Sequence, residues 1–147
     1  MKKIIENLYL GDMNSAPKDT ELRISCAEEI YLKMAPDKEK NSFYDEADKC
    51  IYYKFEDYPI FEEMEINLVK DAINTIEQNI NNKKIYVHCL WGVNRSASIV
   101  FMFLVRNGHI KSSDYYEAQT KFNQIYPKHS PNPGWKDFLI KMYPYKF

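Results

Sequence analysis

The chain has 147 residues and is poor in cysteine, glycine and arginine. Its three cysteines, Cys26, Cys50 and Cys89, are odd in number and widely spaced. That pattern argues against a disulfide framework, and no Cys-x-x-Cys pair or His/Cys cluster suggests zinc. No hydrophobic run approaches the length of a transmembrane helix. The opening "MKKIIENLYL" is basic, but its apolar run is too short and too broken for a signal peptide. A reducing cytoplasm is therefore the expected compartment. No charge sign dominates: 20 Lys and Arg face 21 Asp and Glu, for a formal net charge of -1. Long-range attraction to nucleic acid or to an anionic membrane is not expected from that balance. There is no internal repeat, low-complexity tract or linker. The chain reads as one domain over residues 1–147.

What is present is an ordinary globular composition, 45% hydrophobic, with aromatics at 15%. "IIENLYLGD" reads as a short strand or hairpin, with Gly11-Asp12 as a turn. Glu21 to Ile30 is strand-like, because Leu22, Ile24 and Cys26 alternate. Lys33 to Lys49 is charged and polar and reads as a loop with one helical turn. Cys50 to Asp57 is a β-branched and aromatic strand. Ile66, Val69, Ile73, Ile76 and Ile80 fall at helical spacing within Glu62 to Ile80. Glu62 and Glu63 are expected to open that helix, where negative charge is favourable. Ile85 to His88 reads as a buried strand and Ser96 to Arg106 as an apolar helix closed by Asn107-Gly108. Ser112 or Ser113 is the expected N-cap of a helix running to about Ile125. A short helix from Trp135 to Met142 follows a proline-rich connection. Strands alternating with helices predict an α/β fold, a central mostly parallel sheet of about four to five strands flanked by helices.

The stretch "IYVHCLWGVNRSASIVFMFLV" carries the chemistry. A strand feeds a loop, and the loop feeds a helix N-terminus. Backbone N–H groups of such a loop converge into an anion-binding nest. Gly92 permits a positive φ where the loop turns back. The dipole of the following helix adds positive potential. A cysteine beneath those donors has its thiolate favoured. Arg95 supplies a planar fork for two phosphate oxygens. Cys89 and Arg95, with the backbone of Leu90, Trp91, Gly92, Val93 and Asn94, therefore read as a phosphate cradle with a nucleophile at its base.

"VHCLWGVNRSAS" resembles the phosphate-binding loop of cysteine-dependent protein tyrosine phosphatases, most closely the dual-specificity branch. "LYLGDMNSA" resembles that family's opening strand and turn, "FLVRNGHIKSSDYYEA" its helix pair after the loop, and "SPNPGWKDFL" the run into its last helix. The resemblance covers nearly the whole chain. It implies a compact dual-specificity phosphatase fold, hydrolysis through a phosphocysteine, and no metal or other cofactor. It also places an acidic residue about thirty positions before the cysteine. "KFEDYPIFEE" offers Glu56, Asp57, Glu62 and Glu63, and the "DYP" run favours Asp57 as general acid, with Glu56 as the substitute. By the same resemblance Ser96 hydrogen-bonds the cysteine sulfur, and His88 orients the loop and tunes the thiolate without acting as the base.

Asn94 stands where the family commonly has serine, and Tyr126 where many relatives have arginine. Trp91 is unusual beside the loop, either packing on a neighbouring loop or walling the pocket against a phosphotyrosine ring. No basic residue occupies the variable loop positions, which argues against a polyanionic lipid head group. The expected partner is a phosphoprotein or phosphopeptide carrying phosphotyrosine, phosphoserine or phosphothreonine. Neither nucleic acid nor membrane is expected, and a monomer is the default. Tyr44, Tyr58 and the Glu62, Glu63, Glu65 cluster are candidates for the pocket rim. The rivals are an RNA 5′-triphosphatase or other non-protein phosphatase on the same loop, a silent phosphoprotein-binding module, and a rhodanese-like sulfur transferase. Cys26 and Cys50 read as buried strand cysteines.

Overall fold

A computed structural model describes all residues, 1–147, as an α/β fold around one six-stranded sheet. The strands are β1 (Lys2–Ile5), β2 (Leu8–Gly11), β3 (Leu22–Ser25), β4 (Ser42–Asp45), β5 (Cys50–Tyr53) and β6 (Ile85–His88). The spatial order is β1-β2-β6-β3-β5-β4. Strands β2, β6, β3 and β5 run parallel, while β1 and β4 close the two edges antiparallel. The helices are α1 (Glu28–Met34), α2 (Ile66–Asn79), α3 (Arg95–Arg106), α4 (Tyr115–Ile125) and α5 (Pro133–Lys141). No helix is long and apolar enough to cross a membrane.

The register separates the two faces of the sheet. Leu22 and Ile24 of β3 align with Ile85 and Val87 of β6, so all four point to one face and join the main core. Against that face lies α3, whose residues are buried from Arg95 through Val105. A helix apolar all round belongs in an interior. Its fully buried aliphatic and aromatic side chains, such as Ile99, Val100 and Phe101, each stabilise by about 1.5–3 kcal/mol. The opposite face is covered by α1, where Tyr31 and Ala35 pack on Cys50 and Tyr52 in a small second cluster.

The structure has one more strand than the upper count expected from sequence. The extra one is β4, in the charged stretch read as a loop. It is an edge strand with no fully buried residue, so the apolar alternation that identifies a strand is weak. Other boundaries also move. The run from Glu21 to Ile30 is not one strand, since β3 ends at Ser25 and α1 begins at Glu28. Two acidic residues in the first turn and Lys33 in the last turn of α1 complement its dipole. Gly11 stays inside β2, and the hairpin instead turns at Asn7, with φ +70°. Glu62 and Glu63 form a separate 3-10 turn, Phe61–Glu63, ahead of α2. The final helix starts two residues before Trp135, with proline at its first turn.

The N-cap of α4 is Asp114 and neither Ser112 nor Ser113. Its carboxylate accepts from Glu117 N–H at 2.8 Å, and the Glu117 carboxylate accepts from Ser113 N–H at 2.8 Å. This reciprocal arrangement satisfies two otherwise orphaned donors. Asp114→Ala is expected to lower stability by about 1 kcal/mol in urea unfolding. Ser113→Ala, which removes no side-chain bond, is expected to have a much smaller effect.

Candidate active site

The parallel strands converge where β6 lies between β2 and β3, and the candidate residues emerge from the carboxyl ends of those strands. Such ends are where open α/β sheets place their ligands. Cys89 follows β6 directly. Residues Leu90 to Asn94 loop over it, and Arg95 begins α3. Gly92 has φ +74°, and a Cβ there would meet the Gly11 carbonyl at 2.7 Å and the Tyr126 hydroxyl at 2.8 Å. The loop can therefore turn only with glycine at this position.

Cys89 is 3% exposed. Burial by itself would raise its pKa, because a thiolate is poorly solvated there. Hydrogen bonds from the Ser96 hydroxyl, Ser96 N–H and Gly92 N–H, together with the Arg95 charge, outweigh burial and hold the thiol below its ordinary value. The Ser96 Oγ donates to Cys89 Sγ at 3.2 Å. Cys26 and Cys50 behave oppositely. Burial pushes the Cys26 thiol well up and raises Cys50 to about 11. His88 is buried behind the loop with its Nδ1 3.1 Å from the Cys89 carbonyl oxygen. Burial lowers its pKa, so the ring is neutral at pH 7 and Nδ1 carries the proton donated to that carbonyl.

Arg95 is 4% exposed and braced from behind. Its Nη1 donates to Glu29 Oε1 at 2.6 Å and to the Phe55 carbonyl at 3.0 Å, and its Nη2 reaches Glu29 Oε2 at 3.3 Å. The third nitrogen, Nε, lies 3.3 Å from Asp57 Oδ1 but makes no aligned hydrogen bond. That N–H is left for an incoming oxygen. A buried guanidinium requires such a carboxylate partner. Glu29 is absent from the sequence-derived site, because it reaches Arg95 from a position 66 residues away in sequence.

Asp57 lies beyond β5, half-exposed, and shares one cavity of about 290 Å³ with Cys89, Trp91, Val93, Asn94, Arg95 and Asn132. The structure thus brings Cys89, Arg95, Ser96 and Asp57 together. Glu56 does not line this cavity; its carbonyl accepts from Trp135 Nε1 at 2.8 Å. Trp91 is 71% exposed and forms part of the cavity wall, so it does not pack into a neighbouring loop. Tyr58 is buried against Trp135, and neither it nor Tyr44, Glu62, Glu63 or Glu65 lines this cavity. Tyr126 is buried and donates to the Gly92 carbonyl at 2.8 Å, so this departure from the family pattern supports the loop. No group of three or more His, Cys, Asp or Glu side chains is placed to hold a metal ion.

Residues 8–144 match the family described as dual specificity phosphatase, catalytic domain. The chain belongs to this family. A MAP kinase phosphatase with leucine-rich repeats, protein 3 of Dictyostelium discoideum, is 26% identical over 140 residues. That match covers 95% of this chain but only 15% of the curated relative. Among solved folds, DUSP15 aligns over 97% of this chain and 86% of its own, with TM-score 0.71 and 22% identity. The human tyrosine phosphatase-like serine/threonine/tyrosine-interacting protein aligns over 95% and 92%, with TM-score 0.69 and 21% identity. These two likenesses establish a shared dual specificity phosphatase-like fold.

If Ser96 supplies a direct hydrogen bond to the thiolate, Ser96→Ala should reduce the thiolate fraction at neutral pH about tenfold, the equivalent of ~1.5 kcal/mol. The pH dependence of Cys89 alkylation by iodoacetamide, followed by mass spectrometry, checks this. The midpoint in the parent should lie below that of an ordinary thiol and rise in the variant, while Cys26 and Cys50 react far more slowly.

Proposed function

We propose that this chain is a metal-independent protein phosphatase that hydrolyses phosphotyrosine, and also phosphoserine and phosphothreonine, through a phosphocysteine. The observation that carries the reading is a thiol held below its ordinary pKa in the same cavity as Arg95 and Asp57. Family membership supports the same chemistry.

In the first step the Cys89 thiolate attacks phosphorus and the bond to the substrate oxygen breaks. Asp57 gives its proton to the departing oxygen. Arg95 and the N–H groups of the loop hold the phosphoryl oxygens as charge develops on them. In the second step Asp57 takes a proton from water, the resulting oxygen attacks phosphorus, and the sulfur–phosphorus bond breaks. Cys89 returns to its thiolate with Ser96 donating to it, and inorganic phosphate leaves. His88 has an orienting role, through the carbonyl of Cys89.

The exposed indole of Trp91 beside Val93 suits a phosphotyrosine ring entering from solvent. The half-exposed Asp57 and the exposed Trp91 leave the cavity open to solvent, which supports access by phosphoserine and phosphothreonine as well. A cytoplasmic phosphoprotein is the proposed partner.

The test is phosphate release from matched phosphotyrosine and phosphothreonine peptides in excess EDTA. Turnover is expected with both. Cys89→Ser should abolish it, and Asp57→Asn should slow it by about 10²- to 10⁴-fold. A folded, reduced parent that releases phosphate from neither peptide would overturn the proposal.

A further inference from the structure

Asn94 is 6% exposed at the last loop position before α3, and both ends of its amide are engaged. Its Nδ2 donates to Asp57 Oδ1 at 2.8 Å. Its Oδ1 accepts from the Asn132 backbone N–H at 3.0 Å. A backbone N–H can only donate, so this second bond determines which end of the amide is oxygen. The nitrogen must face Asp57. A serine here, whose hydroxyl stops one bond short, would not span both partners.

The two held positions have a chemical consequence. Asp57 Oδ1 receives the Asn94 N–H and lies 3.3 Å from Arg95 Nε. The oxygen that accepts the Asn94 N–H, and faces the Arg95 charge, is the carbonyl oxygen of the protonated acid. The acid proton is thereby directed to Oδ2, which makes no side-chain bond. The backbone around Asp57 is held separately. The Glu56 carbonyl accepts from Trp135 Nε1 at 2.8 Å, and the Tyr58 carbonyl accepts from Gly134 N–H at 3.0 Å. A Cβ on Gly134 would sit 2.2 Å from that Tyr58 oxygen, so the close approach requires glycine. The start of α5 thus places the acid loop, and rotation of the Asp57 carboxyl is left to Asn94.

We propose that Asn94 is a positioning residue for proton transfer: its side chain ties the Asp57 carboxyl to the phosphate loop and to the start of α5, and selects Oδ2 as the proton-donating oxygen. This rests on the reading of Asp57 as the general acid. It assigns to the Asn94 side chain a role distinct from the backbone donor expected of that loop position.

A residue that positions the acid matters most when the leaving oxygen is basic. The experiment compares kcat/KM of the parent, Asn94→Ala, Asp57→Asn and the double variant. The substrates are aryl phosphates whose phenols range from as basic as tyrosine to strongly acidic nitro- and fluorophenols. Asn94→Ala is expected to lose about tenfold with the basic phenols, comparable to one lost hydrogen bond to a charged group. Its loss with the most acidic phenols should be about fivefold smaller, giving a steeper dependence on leaving-group basicity. On the Asp57→Asn background, Asn94→Ala should add less than about twofold with the basic phenols. The acidic phenols report on the Cys89 and Arg95 cradle, so a misfolded variant reveals itself by losing them too; thermal melting of each variant accompanies the rates.

A loss uniform across the phenols in a folded variant, a full additional loss on the Asp57→Asn background, or no loss at all would overturn the positioning role. A parent whose leaving-group dependence is unchanged by Asp57→Asn would overturn Asp57 as the acid, and Asn94 with it. An inactive parent would overturn the phosphatase reading itself.

Discussion

The site is organised around the difficulty of keeping a negative sulfur in a buried place. Cys89 is almost fully covered, and burial acts against its ionisation. What reverses the balance is a set of donors at fixed positions: the Ser96 hydroxyl and N–H, the Gly92 N–H and the charge of Arg95. Each of these has structural requirements of its own. The Gly92 donor needs a left-handed turn packed against Gly11, with Tyr126 holding its carbonyl. The Ser96 donors need α3 to begin at Arg95. Arg95 needs Glu29 and the Phe55 carbonyl, because a buried guanidinium without acceptors is costly. Through these dependencies one sulfur draws on β2, β6, α1, the segment after β5, and the chain beyond α4.

A second consequence is that the acid loop is attached at several points. Bonds from Trp135 and Gly134 grip the backbone on either side of Asp57, while Asn94 holds its side chain. Fixed donors and acids require little reorganisation during reaction, which is the advantage of a preorganised site. The same contacts explain the proline-rich run before α5. Pro133 at the first helical turn begins the helix where its N-terminal backbone can reach the acid loop.

The buried parallel strands were the most legible part of the fold. Ile85 to His88 is apolar enough to identify itself, and α3 is apolar on every side. The elements missed or displaced have weaker local patterns. Strand β4 is a half-exposed edge with polar ends, Ser42 and Asp45, held by pairing with β5. The start of α1 was hidden because the alternation of Leu22, Ile24 and Cys26 runs past the end of β3 at Ser25. Ser112 and Ser113 compete with Asp114 as caps, and the choice depends on where Glu117 returns its bond. In the site, the Cys89 to Ser96 run was legible because its residues are close in sequence. Glu29, Asn132 and the support from Tyr126 were not, because they meet the loop only through long-range contacts.

The sequence by itself determined that a cysteine, a glycine, an arginine and a serine lie on a strand–loop–helix segment. Their closeness in sequence brings those groups near one another, and distant elements then hold them in place. It also supplied Asp57 as a candidate, through its family resemblance and its place after a strand-like run. Only the tertiary structure decided which carboxylate braces Arg95 and which oxygen of Asp57 Asn94 holds. Those choices depend on distances across β3, β5, α3 and α5, elements joined by packing, and no one-dimensional spacing encodes them. The same is true of Trp91. Its side chain is apolar enough to suggest burial, and only the arrangement of the loop leaves it facing solvent beside the thiol.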